Sequence, residues 1–489
     1  MGHRTRGSGQ LGLSEPHAPV ASWDSGFLDD LVTPKGRNMV SYLTAAAAEE
    51  AGFRACLRCR PEIAPAVSAC RGASDTVKRA LTLIEHGALD DGCDVTSLAE
   101  RFGVGERQLR RLFRRHLGAS PTAVAQTRRV HLAKQLFHET RLPMSEIALA
   151  SGFGTIHRLN MAFEKLCGLR PSALRRASAE EISAGLGGEV TVRLRYRPPY
   201  DWQAMLGFLA ARAVPGVELV DGGAYNRVID IDRQIGAVQI TPARDEDALI
   251  ARVRFPDLSR LPVIIARLRR VFDLSADPQA INEHLLRDAT LAPLVVARPG
   301  LRAPGGWDGF ELAVRAILGQ QVTVRAAIGL ATKLVADYGE AAQPSATGDT
   351  RLTHAFPRPE RLANAEVQLG MPSARAHAIR AIAAAVTADQ KLLDIGRSLE
   401  DAITRLRALP GIGEWTAQYI ALRGMREPDA FPAADVGLMR ALANEGGIRP
   451  NAVELLARAE AWRPWRAYAA QHLWAASPTA SEKAAKSCS

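Results

Sequence analysis

The sequence predicts a multidomain protein, largely α-helical with one small α+β part, and three observations carry that prediction. At 489 residues the chain has room for about three domains. Two long stretches, about 73–178 and 286–475, repeat their apolar residues with helical spacing. Between them, about 189–285, "VTVRLRYR" and "AVQITPA" alternate as strands of a small antiparallel sheet do, before "LSRLPVIIARLRRVF" returns to a helical period. A hydrophobic content of 47% is ample for folded cores, and a net charge of +10 favours an anionic partner, nucleic acid first.

Residues 1–32 and 476–489 have no hydrophobic period and are expected to be disordered tails. No apolar signal core and no run approaching 18 apolar residues occurs, so neither export nor membrane spanning is expected. Six unevenly spaced cysteines do not make a disulfide framework, which points to the reducing cytoplasm.

Residues 33–72 form a short unit with an Ala-rich helix and a Cys-x-x-Cys turn in "FRACLRCRPE". Cys56 and Cys59 have half-zinc-site spacing, and tetrahedral zinc needs two further ligands. Cys70, Cys93 and Cys167 read as small core residues.

Residues 73–178 contain an internal repeat. "LFRRHLGASP" and "AFEKLCGLRP" set Phe113 and Phe163, Gly118 and Gly168, and Pro121 and Pro171 at one constant offset, so one supersecondary unit occurs twice. In "VTSLAERFGVGERQLRRLFRRHLG" a short helix, a glycine turn and a polar helix with Arg107, Gln108 and Arg111 give a helix-turn-helix, whose second helix enters the major groove. "MSEIALASGFGTIHRLNMAFEKLCG" repeats the layout, with Thr155, His157, Arg158 and Asn160 expected on the exposed face. This region resembles the DNA-binding domain of AraC-type regulators. The Cys unit ahead of it resembles the N-terminal zinc domain of Ada-type repair regulators, which takes a methyl group from a phosphotriester. In that family two more zinc cysteines, one of them the acceptor, lie upstream; here no cysteine precedes Cys56, so the unit is a partial remnant with an incomplete metal site.

In the last segment, "SLEDAITRLRALPGIGEWTAQYIALRG" is two helices joined by a glycine hairpin, with Ser398 as N-cap, Leu399, Ala402, Ile403 and Leu406 as the buried stripe, and Gly424 as C-cap. Gly411 and Gly413 leave amides bare at a helix N-terminus, where a phosphate binds. Trp415 and Tyr419, four residues apart, share a helix face. In "FPAADVGLMRAL", Asp435 precedes another apolar helix: it suits either an N-cap or a carboxylate that stabilises a cationic transition state on a sugar. Cleavage of an N-glycosidic bond builds such charge, and electron-rich rings such as Trp415, Tyr419 and Trp474 attract a cationic alkylated base. Trp462 and Trp465 read as core.

Residues 189–475 resemble helix-hairpin-helix DNA glycosylases, most closely the AlkA-type DNA-3-methyladenine glycosylases II; "RAILGQQVTVRAA", "LPGIGEWTAQYIALRG", "FPAADVGLMRAL" and "WRPWRAYAAQHLW" carry the likeness. The resemblance implies Asp435 as catalytic aspartate, a base pocket of Trp415, Tyr419 and Trp474, and DNA contacts at Gly411, Gly413, Thr416, Gln320 and Gln321. Gln321 stands where some members insert an apolar wedge. Bifunctional members carry a lysine two residues after the second hairpin glycine, and Trp415 occupies that place, so a monofunctional hydrolase is implied.

The combined expectation is a monomeric, cytoplasmic glycosylase without a cofactor of its own. It would act on alkylated purines (3-methyladenine, 7-methylguanine) in duplex DNA and be fused to an operator-binding regulator. Two rivals stand beside it: a regulator whose glycosylase half only scans DNA, and an Ada-type regulator and phosphotriester methyltransferase.

Overall fold

A computed structural model describes residues 44–50, 75–85, 87–90, 94–140, 142–167, 171, 189–394, 398–443 and 446–476. The expected tails, Cys56, Cys59, Cys70 and Cys93 lie outside the described residues. The chain forms two compact units, one of residues 1–184 with 258–263 and one of residues 185–257 with 264–489.

In the first unit, helix α1 (Ala45–Glu50) is the Ala-rich segment expected in the remnant. Small side chains let it lie close: Ala46 and Ala47 pack on Ala119. Thr44 Oγ1 donates to the Leu117 carbonyl at 2.8 Å, and the His131 ring lies 3.1 Å from the Glu49 carboxylate. Helices α2 (Asp75–Glu85), α3 (Val95–Glu100), α4 (Glu106–Leu117), α5 (Pro121–Glu139), α6 (Met144–Ala150) and α7 (Ile156–Cys167) follow. Helices α3 and α4 form the first helix-turn-helix, α6 and α7 the second. Each ends its first helix in a turn that needs a left-handed residue, Gly103 with φ +65° and Gly152 with φ +80°. The repeat shows in the core, where Phe113 and Phe163 are both fully buried. Gly118 is the left-handed C-cap of α4, Pro121 opens α5, and Pro171 is buried; Gly168 lies outside the described residues.

In the second unit, strands β1 (Glu189–Arg195), β2 (Glu218–Asp221), β3 (Ala224–Ile231), β4 (Gln234–Pro242) and β5 (Ala248–Arg254) make one antiparallel sheet of order β1-β5-β4-β3-β2. Alternation is clean in β1, where Val190, Val192 and Leu194 are buried. Helix α8 (Trp202–Ala210) runs from β1 back to β2, and "LSRLPVIIARLRRVF" forms a short 3₁₀ turn at Leu258–Arg260 and then a helix, Leu261–Val271, of which residues 258–263 count with the first unit.

The helical part is built on α9 (Gly309–Leu318), α10 (Val324–Tyr338), α11 (Ser373–Ala388), α12 (Leu399–Arg407), α13 (Glu414–Arg423), α14 (Val436–Ala441) and α15 (Arg466–Ala476). Helix α9 is its axis, with seven consecutive residues, Phe310 to Ala316, interrupted in burial only at Arg315. On α12, Leu399, Ala402, Ile403 and Leu406 are the buried stripe, and Ser398 caps by accepting from Asp401 N at 3.1 Å. Gly424 caps α13 but in the right-handed conformation, with φ −85°. Its smallness serves space: a Cβ there would stand 2.8 Å from the Ile420 carbonyl and 3.1 Å from Leu312 of α9.

Sheet and bundle are joined by a buried ionic cluster. Arg227 of β3 donates to Glu311 of α9 at 2.6 Å, and Arg315 of α9 reaches Glu218 of β2 and Glu311, both at 2.8 Å. Tyr225 donates to Glu218 at 2.6 Å. Burial pushes the Glu218 carboxyl up, but Arg315 and Arg227 outweigh it and hold it below the usual range. Every carboxylate in the cluster has a cation, as burial of a charge requires.

Candidate active site

Helix α13 places the site. Gly411, with φ +77°, turns the chain ahead of it, and a Cβ at this position would meet Ala378 of α11 at 2.5 Å. At Gly413 an added Cβ would meet nothing within 4 Å, so the backbone there is open to approach from outside. Gly413 is the N-cap of α13 without a side-chain capping bond. The first amides of the helix therefore keep their donors for an external anion.

Trp415, Tyr419 and Arg423 follow one another at four-residue spacing along one face of α13. The rings of Trp415 and Tyr419 stack with centroids 5.3 Å apart and planes 14° apart, and Trp474 of α15 meets Tyr419 edge-on at 6.4 Å. The three expected pocket aromatics are thus brought together. They line one cavity of about 680 Å³ with Asp435, Arg423 and Phe208.

Asp435 is the N-cap that its sequence position allowed, and its carboxylate also lines the cavity. As N-cap of α14 its Oδ1 accepts from Leu438 N at 3.0 Å, and the same oxygen accepts from Trp474 Nε1 at 2.9 Å. Its Oδ2 accepts from Trp415 Nε1 at 3.0 Å. Two pocket indoles thereby hold the carboxylate at the cavity wall. Gly437 permits the arrangement, because a Cβ there would stand 2.9 Å from Asp435 Oδ1.

Two expected DNA contacts are placed differently. Thr416 is buried, and its hydroxyl accepts from Gln320 Nε2 at 3.0 Å. The same Gln320 amide donates to the Gly411 carbonyl at 3.0 Å. Both side chains are spent on bracing the hairpin, which leaves Thr416 its backbone amide for an external anion. Gln321 is exposed and left-handed, with φ +56°, directly ahead of the exposed Val322 and Val324, which line the cavity. Trp462 is core, its indole donating to Asp288 at 2.8 Å, and Trp465 packs on the same core.

Residues the sequence reading passed over are Phe208 and Arg423. Arg423 had a legible signal, the third place in the Trp415–Tyr419 register. Phe208 had none, since it reaches the cavity from α8, across more than 200 residues of chain. Burial pushes the Tyr419 phenol up, but Arg423, Arg212 and Arg315 outweigh it and hold it below its ordinary value.

In the first unit, Arg107, Gln108 and Arg111 are exposed on α4, and His157 and Arg158 on α7. Asn160 is half-buried, and Thr155 Oγ1 accepts from Arg158 N at 3.2 Å, so that hydroxyl caps α7. Zinc calls for four ligands. Two thiols at Cys56 and Cys59 do not make that set, and among the described residues no group of three or more metal-binding side chains occurs. No helix among them is long and apolar enough to cross a membrane.

Comparison with known proteins accounts for this layout. Residues 314–467 match the HhH-GPD superfamily of base excision DNA repair proteins, and residues 191–308 match the AlkA N-terminal domain. Residues 98–177 match a helix-turn-helix domain, and residues 30–62 the metal binding domain of Ada. In class, then, the protein is a helix-hairpin-helix DNA glycosylase fused to an AraC-type DNA-binding regulator. A "probable bifunctional transcriptional activator/DNA repair enzyme AlkA" from Mycobacterium tuberculosis is 42% identical over 445 residues, 90% of this chain and 88% of that protein. DNA-3-methyladenine glycosylase 2 of Escherichia coli is 38% identical over 58% of this chain and 95% of its own. The chain belongs to the AlkA family of bifunctional transcriptional activators and DNA repair enzymes. A 3-methyladenine DNA-glycosylase from Archaeoglobus fulgidus shares the fold of the second unit at TM-score 0.51 and 22% identity, over 58% of this chain and 96% of its own.

Proposed function

We propose that the second unit hydrolyses the N-glycosidic bond of alkylated purines, 3-methyladenine and 7-methylguanine among them, in duplex DNA. The observation that carries this is the Asp435 carboxylate, held by one indole at each oxygen on the wall of an aromatic cavity. Phosphates seat on the bare amides at Gly411–Thr416, and the damaged base leaves the stack and enters the cavity that Trp415, Tyr419 and Trp474 line. As the bond to C1′ breaks, its electron pair goes to the base, which leaves neutral if alkylation had made it a cation. Positive charge grows on the sugar opposite Asp435, which stabilises it. Water then adds at C1′, oriented by the same carboxylate, which takes its proton and passes it to solvent. No side-chain amine stands at the position Trp415 fills, so the product is an abasic site.

The first unit is proposed to seat on operator DNA through Arg107, Gln108 and Arg111 of α4 and His157, Arg158 and Asn160 of α7. The protein is proposed to work as a monomer in the cytoplasm. Working boundaries are 33–72 for the remnant, 73–178 for the regulator, 189–285 for the sheet subdomain and 286–475 for the catalytic bundle. Methyl transfer is not part of this function, because the acceptor cysteine has no counterpart ahead of Cys56. The test is base release from methylated duplex DNA by the full chain, with released bases identified. Release of 3-methyladenine and 7-methylguanine supports the reading; binding of the duplex without release sinks it in favour of a scanning regulator.

A further inference from the structure

Two buried arginines, Arg227 and Arg423, and a half-buried one, Arg315, line the cavity, and they are not equivalent. Arg227 and Arg315 are ion-paired to Glu218 and Glu311. Arg423, only 2% exposed, has neutral partners: its guanidinium donates to the Pro304 carbonyl and to the Gln471 side-chain oxygen, both at 2.8 Å. Its Nε has no acceptor. Burial, opposed by the neighbouring Tyr419 phenol and reinforced by Arg212 and Arg426, pushes its pKa down to about 10, so it is still a cation at neutral pH. An uncompensated buried charge is costly and needs a reason.

Its surroundings supply one. The guanidinium carbon lies 4.5 Å from the Phe208 ring centroid, 5.1 Å from that of Trp474 and 5.7 Å from that of Tyr419. The cation therefore rests against two of the three rings expected to hold the base. It stands eight residues along α13 from Trp415, roughly 12 Å by helical rise, while Trp415 holds Asp435. Trp474 lies between the two charges, its ring 5.1 Å from the guanidinium and its indole nitrogen 2.9 Å from Asp435, so the cavity wall carries both a carboxylate and a buried cation without a carboxylate partner.

We propose that Arg423 determines lesion specificity by supplying a fixed positive charge behind the base pocket, which favours neutral damaged bases and tempers the preference for cationic ones. This rests on the glycosylase reading above. When the bond from C1′ to a neutral base such as hypoxanthine breaks, the electron pair leaves an anionic base, which later takes a proton from solvent. A nearby cation stabilises that developing charge. A cationic alkylpurine leaves neutral and gains nothing from it, and the same cation opposes its entry. Arg423 acts through the Tyr419 and Trp474 walls and is a positioning residue, not a catalytic one.

The experiment measures single-turnover release of hypoxanthine and of 7-methylguanine from otherwise identical duplexes, using the full chain and its Arg423→Met and Arg423→Lys variants. The readout is the ratio of the two rates within each preparation, which is independent of how much of a variant is folded. Arg423→Met should lower the hypoxanthine to 7-methylguanine ratio by on the order of tenfold, the scale of one charge acting across roughly 8 Å at an effective dielectric of about 20–40. Arg423→Lys, which keeps the charge, should restore most of it. An unchanged ratio in Arg423→Met, or a lysine variant that behaves like methionine, overturns the proposal, the second because it makes the effect one of shape. Failure of the unaltered chain to release 7-methylguanine would instead overturn the glycosylase reading, and this proposal with it.

Discussion

Replacing Asp435 with asparagine separates its two duties. The amide oxygen can keep the bonds from Leu438 N and Trp474 Nε1, so the α14 cap survives. The amide nitrogen then faces Trp415 Nε1, donor against donor, in place of a 3.0 Å bond. That local loss is about 1–3 kcal/mol, against a domain stability of about 5–15 kcal/mol, so the variant should fold. The chemical loss is larger. Three donors at 2.9–3.0 Å fix the carboxylate and stop it from swinging away from the sugar. A unit charge about 4 Å from the developing oxocarbenium, at an effective dielectric of about 20, contributes about 4 kcal/mol. Removing it should slow base release about a thousandfold. Duplex affinity should stay level or rise, because a charge that repels phosphate is gone. The assay is single-turnover release of 7-methylguanine together with duplex binding and thermal unfolding of both proteins. Equal losses of binding and turnover in a folded variant would refute the argument and leave Asp435 as a helix cap.

Other substitutions test the neighbouring parts. Trp474→Ala or Tyr419→Ala should slow release of cationic 3-methyladenine and 7-methylguanine more than that of neutral hypoxanthine, by about the 0.5–2 kcal/mol typical of cation–π contacts; uniform slowing of all three would indicate packing at Tyr419 and, at Trp474, packing or the lost bond to Asp435. Abasic product should accumulate uncut, and a covalent adduct trapped with borohydride would show that an amine, and hence lyase chemistry, had been overlooked. Gly411→Ala must force φ +77° on a residue with a Cβ 2.5 Å from Ala378, so duplex affinity and Tm should both fall, the backbone strain alone being about 1–3 kcal/mol; undiminished affinity would remove the hairpin from the DNA interface. His472 is 3% exposed, and burial, followed by Arg298, lowers its pKa from 6.5 to about 4. The unfolded chain therefore takes up a proton that the folded one refuses as pH falls from 6.5 toward 4, and this site should remove about 2 kcal/mol of stability at pH 5. Denaturant unfolding at pH 7 and pH 5 should show a smaller difference in His472→Gln than in the unaltered protein.

Much of this was legible because it is local. The repeat offset of Phe113 and Phe163, the Ser398 cap, the α12 stripe and the Gly411 turn are all short-range consequences of residue type. The aromatic pocket was legible as a set because Trp415 and Tyr419 share a helix face, and Trp474 was supplied by family likeness. What local pattern could not supply is partnership across the chain. Thr416 and Gln320 read as polar residues beside a DNA-binding turn, and only the packing of α9 on α13 shows that they satisfy each other. Arg423 reads as an ordinary basic residue in a last helical turn. Its lack of a carboxylate partner is a fact of the fold.

The brace at Gln320 bears on how damage is found. One amide group ties the loop carrying Gln321 to the Gly411 turn, and Arg375 of α11 holds the Gln320 carbonyl at 2.7 Å. If the Gly411 turn grips backbone and Gln321 meets the gap, as proposed for this family member, the two parts are a calliper, tied together at a fixed span. A duplex closing in that calliper must do the bending itself, and the energy needed depends on how firmly each base pair stacks and pairs. On that reading sound DNA should resist and a weakened pair yield, so discrimination would begin as a mechanical measurement of the helix, before any base has reached the aromatic cavity.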